Sequence, residues 1–254
     1  MSRIRKALIW MNLALAVLVI AAGACRIRVN HLVNAESMNI KKTSGIKEVA
    51  LTFDDGPSPE CTKDLLEGLK ERNVKATFFV IGEKAEAYPD LIKKIQDDGH
   101  IIGNHSYTHV NLGILSKKDA CEQIRKTNDV IYQITGEYPQ FLRSPFGSTQ
   151  KNLDCQMNMI EVLWDVDPRD WEVQNKEKVV NKVMTDVKDG DIILLHDGYD
   201  SSMLAAFEII DRLQAQGYEF VTVDKLIFEL PCEKRMFQWI FCVFSLENRE
   251  KIPE

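Results

Sequence analysis

Short apolar runs bounded by turn residues recur from Glu48 onward, and they alternate with stretches of helical spacing. VALTF at 49–53, ATFFVI at 76–81, HII at 100–102, QFL at 140–142, EVLW at 161–164, DIILL at 191–195 and YEFVTV at 218–223 read as strands. Leu65, Leu66 and Leu69 share the spacing of one helical face. So do Leu91, Ile92 and Ile95, and again Phe207, Ile209, Ile210 and Leu213. Gly99 and Gly217 stand where helices should stop before the next strand. Strands alternating with helices predict a parallel sheet with helical crossovers, either open and doubly wound or closed into a barrel. No G-x-G-x-x-G follows the first strand, which weakens the dinucleotide-binding version of the open sheet.

The ends of the chain break this pattern. Arg3, Arg5 and Lys6 precede an uncharged run from Ala7 to Ala24, and Arg26 and Arg28 follow it. A basic start and an apolar run predict a secretory signal or a membrane anchor over residues 1–25, and so export of the remainder. Ala22-Gly23-Ala24 fits a small-residue cleavage site, Cys25 weakly resembles a lipoprotein processing site, and the run also suffices for an uncleaved anchor. Each version places the domain at the outer face of the cytoplasmic membrane, in the cell wall, or in the medium. Residues 26–45 are polar and irregular, as in a linker. The folded domain is expected over 46–230, followed by an apolar tail at 231–254. Within that tail, Met236 to Leu246 is almost wholly apolar and too short to span a bilayer.

Composition narrows the function classes. The 254 residues are 45% hydrophobic and 28% charged, which is ordinary globular usage. A net charge of −6 excludes an electrostatic nucleic-acid binder. The six cysteines contain no C-x-x-C pair, so they do not form a zinc cluster, and the sequence names no disulfide pairing.

Polar residues gather just past the predicted strands: Asp54 and Asp55, His105 and His109, Arg143, Asp170 with Trp171, and His196 with Asp197. In a parallel α/β domain these positions share the carboxyl-end face, where ligands bind. His105 and His109 are four apart, so one helical turn would set both imidazoles on one side. With Asp55 they make a two-His, one-carboxylate set for a divalent ion with coordination positions left open. The same set suits Fe(II) oxygen chemistry, but hydrolysis fits the surroundings better. Asp54 could take a proton from water, Arg143 would hold it in place and ionised, and His196 could donate a proton to a leaving group. Asp170 near His196 would favour the imidazolium.

The residues also resemble a family. Thr52-Phe53-Asp54-Asp55-Gly56-Pro57 resembles the first motif of the polysaccharide deacetylases, the NodB-homology or carbohydrate esterase family 4 enzymes. Gly103-Asn104-His105-Ser106-Tyr107-Thr108-His109 resembles the H-[ST]-x-x-H type motif, Arg143-Ser144-Pro145-Phe146-Gly147 the third, Asp167-Pro168-Arg169-Asp170-Trp171 the fourth, and Leu194-Leu195-His196-Asp197 the fifth. The resemblance covers about 48 to 228. It implies a distorted (β/α)7-type barrel and a metal-dependent hydrolase that removes N-acetyl groups from a glycan. It further implies Asp54 as base, Asp55, His105 and His109 as ligands of one ion (Zn²⁺, or Co²⁺ or similar), and Arg143 as the residue steering the base. Asp170 and His196 become the acid pair. The backbone N–H of Phe146 would help hold an oxyanion, and Trp171 and Leu194 would line an acetyl pocket. Export favours N-acetylglucosamine of peptidoglycan as substrate, ahead of N-acetylmuramic acid, chitin oligomers and xylan. A glycan-binding surface protein without turnover is the alternative from another class.

Overall fold

The computed structural model describes residues 45–229 except 151, 152, 154 and 156. The apolar run at 7–24, the linker and the tail at 231–254 lie outside the described residues. Among the described residues no helix is long and apolar enough to cross a membrane.

Seven strands form one parallel sheet: β1 (Lys47–Gly56), β2 (Thr77–Val80), β3 (Ile101–Asn104), β4 (Phe141–Leu142), β5 (Ile160–Glu161), β6 (Ile192–His196) and β7 (Tyr218–Val221). The helices between and after them are α1 (Thr62–Glu71), α2 (Gly82–Ala87), α3 (Pro89–Asp97), α4 (Lys117–Thr135), α5 (Asp170–Val173), α6 (Lys176–Asp186), α7 (Asp200–Ala215) and α8 (Val223–Glu229). The strand order is β5-β4-β3-β2-β1-β6, with β7 paired to the first residues of β1. A parallel bridge between Val166 and Ile193 carries the chain after β5 across to β6. The ring closes there, unevenly, into the distorted barrel that the strand pattern allowed.

Side-chain alternation explains the two cores. Val49, Leu51 and Phe53 of β1, Phe78 of β2 and Ile193 and Leu195 of β6 face outward and are buried under the helices. They meet Leu65, Leu66 and Leu69 of α1, Ile92 and Ile95 of α3, and Ile209, Ile210 and Leu213 of α7, the residues whose spacing predicted those helices. The opposite face carries Ala50, Phe79, Phe141 and Ile192, packed with Val223 and Leu226 of α8. Thr52 and Asp54 on β1, and Leu194 and His196 on β6, continue that inner face toward the carboxyl ends.

Gly99 and Gly217 end α3 and α7 with positive φ, +77° and +81°, as their type allows. The predicted strand at 161–164 is shorter than its apolar pattern suggests. The carbonyls of Val162 and Leu163 accept instead from Arg143, Nε at 3.0 Å and Nη2 at 3.1 Å. A buried guanidinium thus takes the place of a neighbouring strand. Cysteine, too, does more than fill space: Cys121 of α4 is disulfide-bonded to Cys155, while Cys61 is a free, buried thiol.

Candidate active site

Consecutive residues of a regular strand point to opposite faces, so Asp54 and Asp55 could not both face the site without a break. The break is present. The pairing of β1 with β2 shifts register between Asp54 and Gly56, and Asp55 takes a left-handed φ of 68°. Gly56 then runs close to the residue after β6: a Cβ there would lie 2.4 Å from Asp197 Oδ2, so a larger residue would have to displace that side chain.

His105 and His109 do not lie on a helical turn. They flank a loop after β3 in which Ser106 and His109 both have positive φ, 62° and 54°. Side chains hold that loop. Asn104 Oδ1 accepts from the Ser106 N–H at 2.8 Å, while Gln123 Oε1 on α4 accepts from the N–H groups of Tyr107 and Thr108 at 3.0 and 2.9 Å. Asn104 Nδ2 donates to the Ile124 carbonyl and to Asn128 Oδ1, tying the loop's root to α4 as well. The expected pair converges, by a different local geometry from the one its spacing suggested.

Asp55 Oδ1 lies 3.3 Å from His105 Nε2 and 3.1 Å from His109 Nε2. His105 Nδ1 is 2.6 Å from the Arg143 carbonyl, which can only accept, so that nitrogen carries the proton and Nε2 presents a lone pair. Asp55 Oδ1 is buried with no hydrogen-bond partner. Lone pairs therefore face one another, an arrangement that repels unless a cation stands between them. Ligand bonds of about 2.0–2.1 Å at a tetrahedral angle put donor atoms about 3.3–3.4 Å apart, close to these distances. The residues fit a divalent ion. Burial alone would raise the Asp55 carboxyl, but the contact with His105 and the positive charge that His105, His109 and His196 carry when protonated outweigh it and hold the group at about 2. Burial lowers His109 below its usual value, toward the neutral form a ligand needs.

Two polar pairs flank this centre. Arg143, immediately after β4, is fully buried and donates from Nη1 to Asp54 Oδ1 at 2.7 Å and to Thr52 Oγ1 at 2.8 Å. Thr52 Oγ1 in turn donates to the Ile193 carbonyl at 2.8 Å. The guanidinium stacks over Phe79 at 4.1 Å. Asp54 Oδ2 lies 3.7 Å from His105 Nε2, beside the proposed ligands. On β6, His196 Nδ1 is 2.8 Å from Asp170 Oδ1, and the His196 backbone N–H donates to Asp170 Oδ2, also at 2.8 Å. Burial would lower the His196 imidazole, but the hydrogen bond and charge of fully buried Asp170 outweigh it, and its pKa is raised.

The rim residues differ in exposure. Phe146 has a left-handed φ of 60°, is exposed, and sets its ring edge-on to His109 at 4.9 Å between centroids. Trp171 on α5 is partly exposed, and Leu194 is buried on the inner face of β6, two residues from His196. Sequence reasoning gave no role to Thr52, Asn104 or Gln123. Thr52 and Asn104 sit inside the quoted motifs, whereas Gln123 lies mid-helix with no local signal.

The polysaccharide deacetylase family model matches residues 41–161. The chain is 46% identical over 180 residues to the peptidoglycan-N-acetylmuramic acid deacetylase PdaC of Bacillus subtilis, covering 71% of this chain and 38% of that protein. It spans well under half the length of that relative. It is 39% identical to a peptidoglycan-N-acetylglucosamine deacetylase of Bacillus cereus, covering 74% of this chain and 70% of the other. The solved structure of the peptidoglycan deacetylase PdaC superposes with a TM-score of 0.70 at 41% identity, covering 80% of this chain and 98% of that one. With its barrel, its ordered motifs and these relatives, the chain belongs to the polysaccharide deacetylase family.

Proposed function

We propose that the protein is an exported, metal-dependent hydrolase that removes the N-acetyl group of N-acetylglucosamine in peptidoglycan. The observation that carries the reading is the buried, partnerless Asp55 Oδ1 facing two imidazole nitrogens, with Asp54–Arg143 on one side and His196–Asp170 on the other. Asp55, His105 and His109 would hold one ion, Zn²⁺ by the borderline character of an N₂O donor set. The chemistry such an ion supplies is polarisation of the amide carbonyl and acidification of water.

The remaining steps belong to the chain's own side chains. Arg143 occupies Asp54 Oδ1, leaving Oδ2, on the His105 side, to accept a proton from the attacking water. Asp170 holds His196 by Nδ1, so that Nε2–H of the imidazolium is free to protonate the leaving amine. The backbone N–H of Phe146 would donate to the oxyanion, and Leu194 and Trp171 would bound the acetyl methyl. Trp171 and Phe146 also offer apolar faces to the C–H face of a sugar ring.

Substrate class is supported by the relatives, whose names specify two peptidoglycan sugars. Localisation rests on the basic start and apolar run at 1–25, which would carry the domain across the membrane by a cleaved signal, an anchor or a lipid. N-acetylmuramic acid is the second reading, favoured by the 46% identity to PdaC. Muropeptide analysis of a deletion strain decides: fewer free-amino glucosamines support the first reading, and an unchanged glucosamine profile with altered muramic acid supports the second. Absence of acetate release from any N-acetylated glycan by the metal-loaded protein would refute both and leave a binding protein.

A further inference from the structure

A cavity of about 260 Å³ lies at the amino ends of β3 and β4, on the other end of the barrel from the catalytic residues. His100, Ile131, Glu137, Tyr138, Phe141 and Asp224 are among its lining residues. His100 is the informative one. Its ring is buried, 6% exposed, and Nδ1 accepts from the Ala76 N–H at 3.0 Å, so Nε2 carries the hydrogen. That Nε2–H has no hydrogen-bond partner, although the ring meets Phe78 edge-to-face with centroids 5.3 Å apart, and a buried donor without one is costly. Burial, with the charge of Lys75, pushes this imidazole down to about 4, so it stays a neutral donor at physiological pH.

The mouth supplies complementary chemistry. Tyr138 is 58% exposed and stacks on Tyr132, ring centroids 4.4 Å apart and 14° from parallel. Glu137 and Asp224 add carboxylates, which repel anions and accept from hydroxyl groups. Apolar lining residues, carboxylate acceptors and a flat exposed aromatic pair, with a neutral imidazole in the wall, match a neutral polyhydroxylated ring. The volume falls just below the ~300 Å³ at which drug-sized pockets begin, which suits one sugar unit.

We propose that this cavity is a second glycan-binding site, holding one N-acetylhexosamine unit of a neighbouring glycan strand while the catalytic end works on another. The choice of a glycan as ligand rests on the deacetylase reading; the cavity and its donor do not. The experiment compares the intact wild-type chain with Tyr138→Ala and Glu137→Ala, both at exposed positions remote from the catalytic residues. Binding to purified sacculi is measured by co-sedimentation, and deacetylation is measured on N-acetylglucosamine tetramer and on sacculi.

Each variant should weaken sacculus binding by about 3- to 10-fold, as loss of one stacking or hydrogen-bonding contact does. KM on sacculi should rise with kcat and tetramer turnover unchanged. Wild-type sacculus binding in both variants would overturn the proposal. So would binding that appears only after deletion of residues 231–254, which would assign the cavity to the chain's own tail. Failure of the deacetylase reading looks different: no acetate release from either substrate, with Tyr138-dependent sacculus binding retained.

Discussion

Replacing Asp170 by Asn tests the acid half of the site, because the change is isosteric and its consequences depend on pH. Both Asp170 oxygens are engaged by His196, one by Nδ1 and one by the backbone N–H, each at 2.8 Å. An amide has one oxygen. With the Asn oxygen on the backbone N–H, its NH₂ group faces Nδ1, which can accept from it only in the neutral Nε2–H tautomer. The imidazolium would set Nδ1–H against NH₂ in a fully buried position. Losing a charge-assisted hydrogen bond and burying an unpaired donor each cost about 1–3 kcal/mol, so the variant should lose about 2–6 kcal/mol at pH 5.5.

The pH dependence follows from the raised pKa of His196. A histidine whose folded pKa lies above its unfolded value of 6.5 contributes stability that is fully present below 6.5 and is lost as pH rises through the folded value. Asn removes that contribution, so the deficit should be larger at pH 5.5 than at pH 9, where the neutral imidazole can accept at Nδ1 from the Asn NH₂. For a domain of this size each kcal/mol moves Tm by about 2–4 °C. Turnover should report the same shift. With the imidazolium less favoured, the alkaline limb of the kcat/KM profile should move to lower pH, while the acid limb stays in place. Scanning calorimetry at the two pH values and a pH–rate profile on N-acetylglucosamine tetramer measure these effects. An unmoved alkaline limb together with a pH-independent deficit would refute the assignment of His196 as acid tuned by Asp170.

Other perturbations separate the remaining roles. Asp54→Asn should lower kcat by about 10²–10⁴-fold while metal content, measured by mass spectrometry, stays at wild type; loss of metal would mean the two aspartates are assigned the wrong way round. His105→Ala should lose both bound metal and activity, and full activity after dialysis against chelator would sink the proposed ligand set. Arg143→Met strands a buried carboxylate and should cost about 3–5 kcal/mol in chemical denaturation; a change under about 1 kcal/mol would contradict the pairing. Cys121→Ser with Cys155→Ser removes a crosslink closing 34 residues, worth about 3–4 kcal/mol in the chain-entropy account. Equal denaturation midpoints with and without reductant in the wild-type chain would show that the bond contributes nothing.

The inner and outer faces of the barrel were legible because alternation in β1 and β6 and the threefold and fourfold spacing in α1, α3 and α7 are local properties. Chemistry was legible for a related reason. Residues just past parallel strands must share one face, so Asp54, His105, Arg143 and His196 could be grouped before their distances were known. What could not be read was how the backbone departs from regular geometry at those positions. The left-handed turn at Asp55 and the two positive φ angles between Ser106 and His109 leave no periodic trace. A helical turn at 105–109 was a reasonable expectation from spacing alone, and the actual loop depends on Gln123 of α4, many residues away. The pairing of Cys121 with Cys155 was hidden likewise, because it joins a helix to a loop whose path only the tertiary fold sets.

Arg143 shows why fold and site cannot be separated in this chain. A fully buried guanidinium is expensive unless its donors are satisfied. Here two carbonyls after β5, the Thr52 hydroxyl and the Asp54 carboxylate satisfy them, while its own carbonyl accepts from His105. Those partners come from β1, from the loop after β3 and from the segment that carries the ring on toward β6. The same contacts that close the barrel along its irregular side therefore orient the proposed base and fix the tautomer of a proposed ligand. An apolar replacement of Arg143 alone removes the orientation of the base and leaves Asp54 charged and unpaired, while the backbone carbonyl that fixes the His105 tautomer remains. A paired change, Arg143→Met with Asp54→Asn, should recover part of the lost stability without recovering turnover, because the electrostatic strain is relieved while the base is absent. That separation of stability from activity would not arise if Arg143 were only a packing residue of the core.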